Sequence, residues 1–185
     1  RIATFLAHVP DGPVTPAEPP ATLQALLHGD RALPDEGTDP AALLAEASAL
    51  LFEHSLLNGH PRFFGYITSS PAPVGMLGDF LAAAVNANVG SWRLAPMATE
   101  LEAQTVRWIA ELLGYPTSCG GLLVSGGNMA NMVGLFAARA AAARRHGWDV
   151  REWGVARGPR LRVYASRETH TWLQKATDLS GLGTD

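Results

Sequence analysis

An apolar run, Leu122 to Val124, meets Ser125-Gly126-Gly127-Asn128, and from Asn128 to about Arg145 the chain has helical character. Strand, glycine turn and helix start in that order restrict the chain to few folds. A second such unit comes later: "RLRVYAS" alternates Leu161, Val163 and Ala165 as a strand does, a turn "RETH" comes next, and a helix is expected from about Thr171 to Leu179. Strand, helix, strand, helix argues an α/β fold with a parallel sheet. The turn also carries a chemical expectation. The first amides of a helix lack intrahelical partners, and the dipole is positive there. Gly126 and Gly127 let an anion approach the backbone, and Asn128 can cap the helix or donate to a phosphate oxygen. The same pattern also serves as a tight connection with no ligand. It lacks the Lys-Ser/Thr of a P-loop and the glycine spacing of a dinucleotide site, so ATP and NAD are poorly supported.

Charge narrows the function further. Charged residues make up 17% of the 185 residues and the formal net charge is -3. A fraction below the usual level of about 25% points to surface covered by another subunit or by further chain. No basic block marks a nucleic-acid surface. The single cysteine, Cys119, excludes an internal disulfide framework and fits a reducing, cytoplasmic setting. It has no evident activating base. The longest apolar stretch, near Leu77 to Val85, is too short to span a membrane and contains Asp79. No signal pattern opens the chain. Arg1 in place of Met and the ending "LSGLGTD" lead us to expect a cut at either terminus.

Prolines crowd residues 8–40, which reads as an extended arm with a short helix near Thr22 to Leu27. Asp39 caps a helix that has Pro40 at its first position and runs to Gly59. "MLGDFLAAAVNANVG" predicts another, ended by Gly90. Thr99 and Glu102 look like a capping box ahead of a stripe of Leu101, Trp108, Ile109, Leu112 and Leu113, closed by Gly114 and Pro116. Trp148 to Gly158 is expected as a loop. Trp92 is placed either at a subunit interface or in ordinary packing. Glu100 and Glu102 are taken as first-turn charges, and Asp79 as a surface or interfacial residue.

His170 comes just after the second strand, where ligands of parallel sheets gather. It can stack on a cofactor ring or shuttle a proton, or it can simply cap its own helix. His54 is placed on a helix face and His60 in a pocket wall or turn; neither has further ligands at metal-binding spacing.

"HPRFFGYITSSPAPVGMLGDFLAAAVN", "SWRLAPMATELEAQTVRWIAELLG", "SGGNMANMVGLFAAR" and "ASRETHTWLQKA" stand in an order and spacing that resembles the group II pyridoxal-phosphate-dependent amino-acid decarboxylases, from about Thr22 to Asp185. The resemblance implies the N-terminal portion of a fold-type I enzyme: an arm and dimerisation segment over 1–60, and the incomplete start of the large cofactor domain over 61–185. It implies an amino-acid substrate, pyridoxal 5'-phosphate as cofactor and a homodimer, or a complementing chain carrying the C-terminal half. By resemblance, Gly127 and Asn128 bind the cofactor phosphate, and the turn itself adds Gly126 to the cofactor-binding residues. His170 stacks on its ring and assists protonation. Tyr66, Ile67, Thr68 and Ser69 line the substrate pocket, and Asn88 and Gly90 reach into the partner's site.

Two departures qualify this. Gly90 and Ile67 replace aromatic residues of the aromatic-amino-acid members, so the substrate side chain stays open. The family's Schiff-base lysine and the aspartate that pairs with the pyridine nitrogen lie downstream of these residues. The only lysine, Lys175, does not match the family position and is expected on a polar helix face. The segment alone is expected to be inactive. A lyase or aminotransferase-like enzyme of the same fold, or a non-catalytic dimerising or cofactor-binding fragment, are the alternatives.

Overall fold

The computed structural model describes residues 1–16, 18–27 and 32–184. Ala17, residues 28–31 and Asp185, and with them parts of the expected arm, lie outside the described residues. The chain forms two compact units, Arg1–Asn86 and Ala87–Asp185. The described residues of the arm expected over 1–60 fall within the first unit, which continues through one more helix.

In the first unit, α1 (Ile2–His8) leads into a 3-10 turn, Val9–Asp11, followed by α2 (Pro20–Leu26), α3 (Pro40–Glu53) and α4 (Pro73–Val85). Three of these helices have proline in their first turn, where no amide is missed. Asp39 caps α3 as expected, its carboxylate accepting from the Ala42 amide at 2.9 Å. α3 stops at Glu53 rather than Gly59, because His54 leaves the helical conformation. α4 likewise ends before Gly90: Asn86 takes a left-handed conformation (φ 48°, ψ 44°) that a short polar side chain tolerates. The Phe5 and Phe52 rings stack 4.1 Å apart and join α1 to α3. None of α1 to α4 contains a buried residue.

The second unit holds α5 (Pro96–Leu112), α6 (Gly127–Arg145), α7 (Val150–Trp153) and α8 (Trp172–Leu179). The capping box does not form. α5 begins at Pro96, three residues ahead of Thr99, whose hydroxyl donates back to the Ala95 carbonyl at 2.9 Å. Glu102 is therefore in the second turn and accepts the Leu123 amide at 2.7 Å. The expected apolar stripe of α5 faces outward. The side that packs carries Glu102, Val106 and Ala110, spaced by four, and the backbone at Gly121 runs so close to Val106 that a Cβ there would lie 2.7 Å from it.

Neither expected strand forms among the described residues. Residues 122–124 and 161–165 make no ladder, and a strand needs a neighbour to take its amides. The Leu123 amide goes to Glu102 on α5, and Gly126 donates back to the Val124 carbonyl at 2.9 Å.

The core of this unit is Ala143, Trp148 and Val150, with Ala140, Val155 and Leu161 against it. α6 ends at His146. Gly147 (φ 68°) then turns the chain so that its amide meets the Arg144 carbonyl and the Trp148 amide meets that of Ala143, the paired bonds of a Schellman motif. That turn drops the Trp148 indole into the core. Gly158 lies directly on the ring, where any Cβ would overlap it. The expected loop from Trp148 to Gly158 thus contains α7, capped by Asp149 accepting the Arg151 amide at 2.8 Å. Arg139 ties α6 to α8 by donating to the Ser180 carbonyl at 3.3 Å.

Candidate cofactor-binding turn and pocket segments

Gly126 precedes α6 with φ 99° and ψ 168°, a region closed to most side chains. Its carbonyl accepts the Ala130 amide at 3.1 Å, the first bond of the helix. Among the described residues, the amides of Gly127, Asn128 and Met129 have no protein partner, and no side chain caps the helix. Gly126, not Asn128, is the N-cap residue, so the Asn128 side chain does not cap. A Cβ on Gly126 or Gly127 would meet nothing within 4 Å, and residues 125–130 are exposed. The turn is an open cradle of free donors at the positive end of a 19-residue helix. That donor set fits a phosphate.

His170 stands just ahead of α8 and is exposed. Its Nδ1 accepts the Trp172 amide at 3.2 Å from one residue ahead of the N-cap Thr171, and among the described residues Nε2 has no protein partner. Among the described residues no hydrogen bond joins it to the Ser125–Asn128 turn.

Asn88 and Gly90 are brought together: the Gly90 amide donates to Asn88 Oδ1 at 2.9 Å. A side chain at 90 would press on that oxygen, which lies 2.9 Å from the Cβ position. In the first unit, Tyr66 has φ 60° and both it and Ile67 are exposed. Thr68 Oγ1 donates to Asn58 Oδ1 at 3.1 Å. Ser69 borders a cavity of about 620 Å³ shared with Phe5, Leu51 and Phe52.

Other residues take plainer places. Lys175 is exposed on α8. Trp92 donates to Glu100 Oε1 at 2.9 Å, so Glu100 and Glu102 hold loop groups rather than serving as first-turn charges. His54 closes α3 with Nδ1 3.2 Å from Glu18 Oε1. His60, of the two placements expected for it, occupies a turn, and it is 2% exposed. Its burial was not foreseen; the signal was a polar ring ahead of a proline in an otherwise apolar "HPRFF". The described residues contain no cluster of metal-ligating side chains and no helix long and apolar enough to cross a membrane.

The open amides of this turn suit a chain that holds a phosphate-bearing group. It superimposes on Oryza sativa TDC, crystallised with PLP and tryptamine, with a TM-score of 0.81 and 32% identity, over 97% of this chain and 37% of that one. Residues 20–184 match the pyridoxal-dependent decarboxylase conserved domain, and the chain belongs to that family. It is 33% identical to an aromatic-L-amino-acid decarboxylase of Bacillus atrophaeus, over 81% of this chain and 29% of the relative. It is 31% identical to an L-2,4-diaminobutyrate decarboxylase of Rhizobium meliloti (strain 1021), over 88% and 31%. The chain spans about a third or less of the length of the curated relatives it matches.

Proposed function

We propose that this chain is the cofactor-phosphate and pocket portion of an enzyme that converts an L-amino acid to an amine and CO2 with pyridoxal 5'-phosphate. The observation that carries the reading is the set of three free amides, Gly127 to Met129, at the glycine-capped start of α6 inside the family match. When bound, the cofactor supplies a ring that accepts the electron pair left as CO2 departs. The protein's part is to bind, orient and exclude water. The α6 amides and Asn128 hold the phosphate dianion, and Gly126 keeps the approach open. His170 covers a ring face. The Trp172 amide occupies Nδ1, which leaves a proton at Nε2 to donate toward the substrate. Tyr66 to Ser69 form a pocket wall, and Asn88 and Gly90 reach the partner's site.

Lys175 is not the Schiff-base lysine, and the family's lysine and aspartate have no counterpart in these 185 residues. Activity therefore belongs to the chain at its natural length, or with a complementing chain, acting as a homodimer in the cytoplasm. Residues 1–60 form the arm and residues 61–185 begin the cofactor domain, whose parallel sheet takes residues 122–124 and 161–165 as strands. In each unit separately, outward apolar side chains, Leu77 and Phe80 on α4 and Trp108 and Leu112 on α5, support cover by further protein. Relatives acting on aromatic amino acids and on diaminobutyrate leave the substrate side chain open.

The test is borohydride reduction of the natural-length protein with pyridoxal phosphate, intact-mass analysis, and an amine-product screen over an amino-acid panel. A cofactor adduct outside Lys175 together with release of one amine is expected. Absence of both overturns the reading, and an adduct mapped to Lys175 overturns the place given to that residue.

A further inference from the structure

His60 uses all four of its polar atoms. Its Nε2 lies 3.1 Å from the Gly12 carbonyl oxygen, and its Nδ1 accepts the Arg62 amide at 3.0 Å. Its own amide donates to Leu57 O at 3.0 Å, and its carbonyl accepts the Phe63 amide at 2.9 Å. The accepting Nδ1 selects the tautomer with the proton on Nε2, which then donates to Gly12. The ring so joins residues 48 apart in sequence.

Beyond His60 the chain folds into a closed loop. Gly59 backs onto Ser70, with 3.3 Å from its Cβ position to the Ser70 Cβ, and Thr68 bonds Asn58. Within the loop, the Phe63 ring sits 3.2 Å from the Cβ position of Gly65 and 6.4 Å from the Tyr66 ring centroid. The base of the loop is held to the chain segment after α1 by His60, by Arg62 Nη2 at 3.4 Å from the same Gly12 oxygen, and by the Leu57 amide on Val14 O at 3.0 Å.

We infer that His60 is a positioning residue that ties the N-terminal arm at Gly12 to the pocket segment Tyr66–Ser69. The inference rests on the reading of that segment as a pocket wall. An imidazole performs two tasks that shorter amides split. An asparagine accepts the amide two residues on but falls short of Gly12. A glutamine reaches Gly12 but does not also hold the Arg62 amide.

The experiment uses the natural-length holoenzyme with His60→Asn and His60→Gln, and three readouts. Nitrogen-15 NMR of the unmodified protein reports the ring tautomer without any variant. Hydrogen exchange reports residues 62–69. Steady-state kinetics separates KM from kcat. The expected result is a proton on Nε2 alone, faster exchange at 62–69 in His60→Asn, and a KM raised roughly tenfold with kcat within about twofold. His60→Gln is expected to restore KM to within about threefold. A proton on Nδ1, or exchange unchanged in His60→Asn, overturns the role of His60 whatever the pocket is. Faster exchange with KM unchanged overturns instead the reading of 66–69 as pocket wall, and with it the functional half of the inference. A fall in kcat alone, equal in both variants, overturns positioning in favour of a general loss of folded protein.

Discussion

Residues 1–86 carry nine of the 17 acidic side chains and three of the 14 basic ones, and residues 87–185 carry the remaining eight and eleven. The two units also cohere differently. The second has a small apolar core around Trp148, built from α6, α7 and the residues that follow them. The first has no buried side chain in α1 to α4; beside the buried Val9 it relies on the Phe5–Phe52 stack, the Asp39 cap and hydrogen bonds that converge on His60 and Gly12. One unit is organised by burial, the other by a ring stack and directed polar contacts. The proposed phosphate cradle lies in the unit with basic excess, where an anion meets a favourable field.

This contrast can be broken from the side of burial first. Trp148→Ala should cost about 3–5 kcal/mol, the range for deleting a buried aromatic ring, read as a lower urea midpoint with exchange rising across α6 to α8. A loss confined to the first unit would sink the assignment of Trp148 as the second unit's core. Gly158→Val should cost about 2 kcal/mol, because its branched side chain must enter space the indole already fills. Gly126→Ala should cost about 1–2 kcal/mol through the φ of 99°. It should also weaken inorganic phosphate binding in calorimetry; unchanged affinity would remove that turn from the site. The smallest effect falls in the other unit. Asp39→Ala should remove about 1 kcal/mol from α3, visible as faster exchange of the Ala42 amide and little else.

Much of this organisation was legible from local chemistry. Asp39-Pro40 fixes a helix start because the cap and the missing donor act within one turn. Gly114 ends α5 by the same local logic, its φ of 67° letting the Tyr115 amide reach Ala110 O at 2.8 Å. The glycine turn before α6 was legible for the same reason. Features set by distant groups were not. Thr99 and Glu102 have the spacing of a capping box, but Pro96 starts the helix earlier and Leu123, 21 residues on, claims the carboxylate. The alternation at 161–165 specifies an extended backbone, whereas a ladder depends on a partner that alternation cannot name. His60 is the clearest case, since its significance lies in a carbonyl 48 residues away.

The Gly147 turn that sinks Trp148 into the core has an optical consequence. Of the five tryptophans, Trp92, Trp108 and Trp153 face solvent and Trp172 is half-covered, while Trp148 is 4% exposed with no hydrogen-bond partner for its indole nitrogen. An indole in that setting emits at the blue edge of the spectrum and is sheltered from acrylamide. Fluorescence selected by quenching the other rings therefore follows the α6–α7 corner alone, and the chain carries its own dye for the unit that presents the glycine turn.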